Sequence, residues 1–451
     1  MRKCLKQRST FIALLFGLGA LMQNAVADTK APIIQPDARV VSLAAVYFAP
    51  EPKRKPEAIA AQLLKTKYKL FSVRADRKAG DTGTTVFFEY VDLKSAHFEP
   101  PSAEQLRYFG RGVTSDQAQA LQRSTHGLVL SFSYSSQQAF KALNEISALL
   151  SELAKTTDGL IWDEDTRELF GVEAWNKRRL ADWDDGVPMA ERFTSIHAYK
   201  NTDYIRAISL GMSKFGMPDI VINDFSWSVN KQMGNTINAF SQSLIEGAAI
   251  PEKGAYDLHV QSIKHKSLRE HLVQSFLDNA TGTGRLVLKQ AERDDGDPEN
   301  RLIELTFDRY SGKSVRERQD QFVDEIFGHH DELTMARHTD QIMAVSKRAQ
   351  AKFETFRKRF EKGLEPGEHI MVKAPFKTRD NGNEWMWVEV VKWKGGDITG
   401  LLRNDPEFVP GLHAGTTVQI KQADIFDYIR YTADGEEEGN ETGPLLQKSA
   451  E

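Results

Sequence analysis

Cysteine is all but missing from this chain: the single one, Cys4, precedes an apolar run from Phe11 to Met22. If residues 1–27 are removed no thiol remains, which excludes disulfides, thiolate metal sites and cysteine nucleophiles. The fold must then rest on packing. Long hydrophobic runs are scarce too, since Phe11–Met22 has about 12 residues where a membrane span needs ~20, and no later stretch is long or apolar enough to span. Arg2, Lys3, Lys6 and Arg8 precede the run and Ala25-Val26-Ala27 follow it, the order of a secretory signal cut after Ala27. The expected location is the periplasm or the medium. Positive charge is in deficit: 59 Lys and Arg face 63 Asp and Glu, a net charge of −4 that becomes −8 without the four basic residues of the signal. A nucleic-acid partner requires a basic footprint and is excluded.

What is present is enough apolar sequence, 40% of the chain, for more than one core. Residues 28–38 read as an exposed leader. Val40 to Phe48, Thr84 to Val91 and Gly127 to Tyr134 read as strands, with Pro56 to Lys67 and Ser115 to Gln122 as helices. Glu99-Pro100-Pro101-Ser102 reads as a break. Ser135 and Gln138 have capping-box spacing before a helix whose stripe is Ala139, Leu143, Ile146, Leu150 and Leu153. Gly159 to Trp162 reads as a strand and Val172 to Trp183 as a helix. Strands at 192–199, 204–210 and 220–223 and a helix at 227–246 follow, then a hairpin at 284–309 turning at Asp294-Asp295-Gly296-Asp297-Pro298. Strands interspersed with helices and joined by a hairpin imply α+β, with a mixed sheet and helices over residues 39–328 and a possible division into two subdomains near 185–191. A long helix over 331–362 carries Ile342, Val345, Ala349, Phe353, Phe356 and Phe360 at spacings of three and four. A small curled or barrel-like sheet follows, to about residue 446, and residues 447–451 read as a frayed tail.

No catalytic or cofactor motif stands out. His259, His265 and His271 recur every six residues, a spacing that does not converge on a metal, and His329-His330-Asp331-Glu332 are adjacent residues pointing apart on a helix. Asp294-Asp295-Gly296-Asp297 lacks the alternation of a calcium loop and reads as a solvated hairpin tip. Gly211 to Gly216 is one residue too long for a nucleophile elbow. Asp163, Glu164 and Asp165 offer carboxylates for acid–base work but read as an exposed turn. Neither a cofactor nor a metal is expected.

The most distinctive stretch is Glu384 to Asp427, with three Trp among three turn sequences. Strict alternation puts Trp385, Trp387, Val391 and Trp393 on one face and Met386, Val388 and Val390 on the other, as in a central strand. Glu389 lies on the Trp side, so at least one Trp is expected to be part exposed beside it. Trp385, Trp387, Glu389 and Trp393 are therefore the candidate binding surface.

The helix with Ala349 and Phe356, then His369-Ile370-Met371-Val372-Lys373-Ala374-Pro375-Phe376, Glu384-Trp385-Met386-Trp387-Val388, Gly400-Leu401-Leu402, Asn404-Asp405-Pro406, the Gly415 turn and Asp424-Ile425 form a longer pattern. Residues 331–446 on these grounds resemble the bacterial domain of unknown function 2314, the YegJ-like proteins. Where members of that family tend to carry Asp-Trp, this chain has Asp427-Tyr428. The resemblance implies no known activity. Gly159 to Trp162 and Phe215-Gly216-Met217-Pro218-Asp219 are faintly similar to a second uncharacterised bacterial family, numbered 4261. The leading expectation is a non-enzymatic binding protein whose partner is a protein or an envelope component, a toxin neutraliser being one version. The alternatives are an envelope hydrolase with carboxylates on several loops, and a structural subunit whose long helix pairs with its own copy.

Overall fold

A computed structural model describes residues 35–49, 51–76, 83–201, 204–225, 229–251, 253–277, 279–328, 340–379, 383–406, 408–433 and 436–442. The expected signal, the 329–332 cluster and the expected tail lie outside them. The architecture is α+β. At the centre of a seven-stranded sheet lies Arg39–Phe48, antiparallel to His126–Ser135 on one side and Gly159–Asp163 on the other. It can be central because it is apolar on both faces. Val40, Ala44, Val46 and Phe48 enter the main core, whereas Ala45 and Tyr47 pack with Leu93, Leu106 and Trp162 on the reverse.

Helix Ala139–Thr157 buries the expected stripe of Ala139, Leu143, Ile146, Leu150 and Leu153. Its start differs from the expected one, because a 3-10 turn, Ser136–Gln138, intervenes and Ser135 Oγ accepts from Gln137 N at 3.4 Å. Genuine capping boxes open two other helices, Ala103–Phe109 at Ser102 and Gln105, and Ser115–Leu121 at Thr114 and Gln117. The first of these occupies the stretch directly after the expected break, with Pro100 and Pro101 as its approach.

The second sheet runs in the order Ser195–Asn201, Tyr204–Leu210, Asp219–Phe225, Leu302–Thr306, Thr283–Gln290, Ala255–His259. The expected hairpin is there, Thr283–Gln290 against Leu302–Thr306, and Asp219–Phe225 runs parallel to the latter, so the sheet is mixed. Helix Asn230–Ile245 buries Met233, Ile237, Phe240 and Leu244. One hydrophobic cluster extends through both sheets from Val40 to Phe327, and a short hairpin, Trp183–Asp184 with Val187–Pro188, occupies the stretch near 185–191. The hairpin tip is not simply solvated: Asp297 is buried, accepting from Arg206 Nη2 at 2.6 Å and from Asp294 N at 2.9 Å.

The third sheet is open rather than barrel-closed, in the order Thr417–Lys421, Asp397–Leu402, Asn383–Lys394, His369–Lys377, Asp427–Tyr431, Glu437–Gly439. Helix Asp340–Lys362 lies on one face, where Ala349, Phe353 and Phe356 pack with Ile370, Val372, Met386, Val388 and Tyr428. The buried Glu368 fixes the helix end to the sheet by accepting from Arg359 Nε and Arg430 Nε, both at 2.6 Å. Among the described residues no helix is long and apolar enough to cross a membrane.

This third unit touches the first sheet through backbone. Gly367 N donates to Arg107 O at 2.6 Å and Gly112 N to Ala433 O at 3.1 Å, while Glu365 accepts from Ser115 N at 2.5 Å. Glycine makes the approach possible. Gly367 has φ +82° and a Cβ there would stand 2.4 Å from Gly110 O; one on Gly110 would stand 2.7 Å from the Pro366 Cβ.

Candidate functional site

Strand Asn383–Lys394 is central in its sheet, but its alternation is broken. A β-bulge between Val390 and Lys392 inserts one residue, which reverses the faces beyond it. Trp393 therefore does not join Trp385 and Trp387. It is 4% exposed on the helix side, its Nε1 donating to Gln422 Oε1 at 3.1 Å and its ring 6.3 Å from Phe360. Val391, at the bulge, is 54% exposed. Trp385, Trp387 and Glu389 remain together on the opposite, open face, all part exposed.

That face has a defined polarity. Across the ladder Lys373 stands opposite Trp387 and Pro375 opposite Trp385. The Lys373 ammonium lies 5.6 Å from the centre of the Trp387 ring, within cation–π range. Burial pushes Lys373 below the usual lysine range, with the Asp427 carboxylate opposing. Among the described residues Lys373 has no ion-pair partner. Its neighbours are matched: Arg403 Nη1 meets Glu389 at 3.2 Å, the His369 ring stacks on Tyr431 at 4.4 Å, and Trp385 packs on Phe426 at 4.7 Å. Burial also lowers His369 and Arg403, in each case against the pull of Glu389. The face thus offers part-exposed aromatic rings around one unmatched cation.

The Asp163-Glu164-Asp165 turn is a different kind of site from the exposed turn that its sequence suggests. Asp163 is 3% exposed and accepts from Lys214 Nζ at 2.6 Å and from Arg179 Nη2 at 2.7 Å. Lys214 arrives on the 3-10 turn Met212–Phe215, and Arg179 from the end of helix Val172–Arg179. The Arg179 guanidinium is ringed by Phe170, Trp175 and Phe193 at 4.9–5.3 Å. Burial would raise Asp163, but Lys214 and Arg179 overrule it and hold the carboxyl at about 2. Asp165 accepts from Ser42 Oγ at 2.6 Å and Ser213 Oγ at 3.3 Å, and burial, opposed by Lys214 and helped by Asp163, raises it to about 6. Glu164 accepts from Trp162 Nε1 at 2.6 Å. Glu168, also buried, accepts from Arg111 Nε at 3.0 Å. Sequence spacing could not reveal this cluster, in which Lys214 lies 51 positions from Asp163 and Ser42 lies 123 from Asp165.

The three histidines are dispersed. His259 is exposed beside Thr283, His265 is buried at the start of helix Lys266–Gln274, and His271 lies on that helix facing a cavity. Among the described residues no group of three His, Cys, Asp or Glu could hold a metal ion.

No curated protein and no solved structure matches the chain. The model of family DUF2314, described as an uncharacterised protein conserved in bacteria, matches residues 339–449, the segment that contains the open Trp face and the helix behind it.

Proposed function

We propose that the chain is an exported, non-catalytic binding protein of the bacterial envelope, whose partner is an anionic envelope component held on the open face of the third sheet. The observation that carries this reading is the pairing of part-exposed Trp385 and Trp387 with the unmatched Lys373. The reverse face of the same sheet is sealed by a helix, so the fold has the means to bury rings and leaves these in contact with water. Each ~50 Å² of ring surface so left is worth about 1 kcal/mol to a partner that covers it, at ~25 cal/mol per Å². Trp is also among the residues enriched at interface hot spots. The hydrolase reading has less support, since Asp163, Glu164 and Asp165 are all engaged by internal donors.

Fractionation of producing cells is expected to recover a mature chain beginning at Asp28 outside the cytoplasm. The binding test is co-sedimentation of that purified chain with peptidoglycan sacculi and, separately, with anionic lipid vesicles. One of the two is expected to retain the wild type in a salt-sensitive manner, with folded Trp387→Ala and Lys373→Gln variants retained at least tenfold less. Equal retention of the variants, or no retention of the wild type by either, would overturn the reading.

A further inference from the structure

Away from the Trp face, a cavity of about 340 Å³ lies between helix Val172–Arg179, the short helix Ala190–Phe193, helix Lys266–Gln274 and Glu436 of the third unit. The volume is at the lower end of the ~300–1,000 Å³ typical of small-molecule sites. Ala174 and Met189 supply apolar wall, and Ser267 and His271 supply hydrogen-bonding groups. Most charges around it are matched. Arg192 pairs with Asp182 at 2.7 Å and Lys177 with Glu436.

Two groups are not: Glu191, whose carboxylate among the described residues accepts only from Asn238 Nδ2, at 3.1 Å, and Arg178. Arg178 Nη2 donates to the carbonyls of Glu191 and Thr194, each at 3.1 Å, which fixes the guanidinium in place. Among the described residues neither its Nε nor its Nη1 finds an acceptor, and Nε is buried. The acid nearest in electrostatic effect, Glu168, is taken by Arg111 at 3.0 Å and stands 3.9 Å from Arg179. Arg179 and Arg111 add positive potential, as does Arg192 at the cavity wall. Burial lowers Arg178 to about 10, so it keeps its charge at neutral pH. A guanidinium held by two carbonyls, on a residue that lines the cavity and whose Nη1 has no acceptor among the described residues, suits an oxygen of a carboxylate or phosphate.

We propose that this cavity binds a small anionic molecule through a carboxylate or phosphate group paired with Arg178, with Ser267 and His271 as further hydrogen-bonding partners. The site is separate from the Trp face, and either can fail without the other. The test is titration of the full mature chain with inorganic phosphate, acetate and malonate at constant ionic strength, with chloride as control, read by calorimetry and by melting temperature. The expected result is saturable binding of phosphate or of a carboxylate, weakened at least tenfold in Arg178→Gln and less in Arg178→Lys; the probe that binds identifies the headgroup. If Arg178→Gln does not fold, Ser267→Phe, which fills the cavity from its wall, is expected to abolish the same response. No saturable response to any of the three probes, or a response that these variants leave unchanged, would overturn the proposal.

Discussion

Arg179 and Asp163 show how a few side chains can set the cost of a whole region. Three aromatic rings surround the guanidinium, and two cations converge on the carboxylate. Removing one member leaves the others charged and buried, so Asp163→Asn is expected to cost about 3–5 kcal/mol in denaturant unfolding. Proton linkage gives the neighbouring acids opposite signs. Asp163 sits at about 2 when folded against 3.8 unfolded, so its stabilisation is present above pH 4 and is lost as pH falls through 2. Asp165 sits at about 6, so its contribution is full below pH 4 and is lost as pH rises through 6. Between pH 4.5 and 7.5 the wild type is therefore expected to lose about 1–2 kcal/mol relative to Asp165→Asn, a difference read from paired unfolding curves. Identical pH dependence in the two proteins would count against the buried-acid account. None of this was legible in the local pattern, because a run of three acids carries no sign of a lysine 51 positions away.

At the scale of single elements, the bulge in Asn383–Lys394 decides which tryptophan is structural. Trp393→Ala empties a closed site and is expected to cost about 3–5 kcal/mol, whereas Trp387→Ala, on the open face, is expected to cost less than half as much in the same melting experiment. Two equal losses would mean that both rings are core. The alternation of Trp385, Met386, Trp387 and Val388 was readable in the sequence and so was the central position of the strand, since both follow from a period of two. The bulge was not. One extra residue leaves hydrophobicity unchanged and moves only the phase, as the exposed Val391 and buried Trp393 show. Helix Ala103–Phe109 was hidden for a different reason. Pro100 and Pro101 punctuate the chain, and the Ser102 and Gln105 cap that restarts it lacks the long apolar stripe by which helix Ala139–Thr157 is recognised.

Across the whole molecule, α+β and the 284–309 hairpin were legible because strand and helix periods alternate along the chain. Strand order was not, since pairing Asp219–Phe225 parallel to Leu302–Thr306 depends on contacts some 80 residues apart. The third unit is seated on the first sheet by main-chain bonds at Gly112 and Gly367. Gly367→Ala combines a strained φ of +82° with a Cβ 2.4 Å from Gly110 O, so faster proteolysis around residues 363–368 is expected, read by mass spectrometry of the fragments. Unchanged proteolysis would show that the joint yields without cost. Apart from Glu365 on Ser115 and the Lys177–Glu436 pair, that seat carries little side-chain identity beyond its glycines. In chains that join the same two units, replacements at Gly110 and Gly367 should therefore arise together, leaving a coupled signature across more than 250 positions even where the surrounding sequence has drifted beyond recognition.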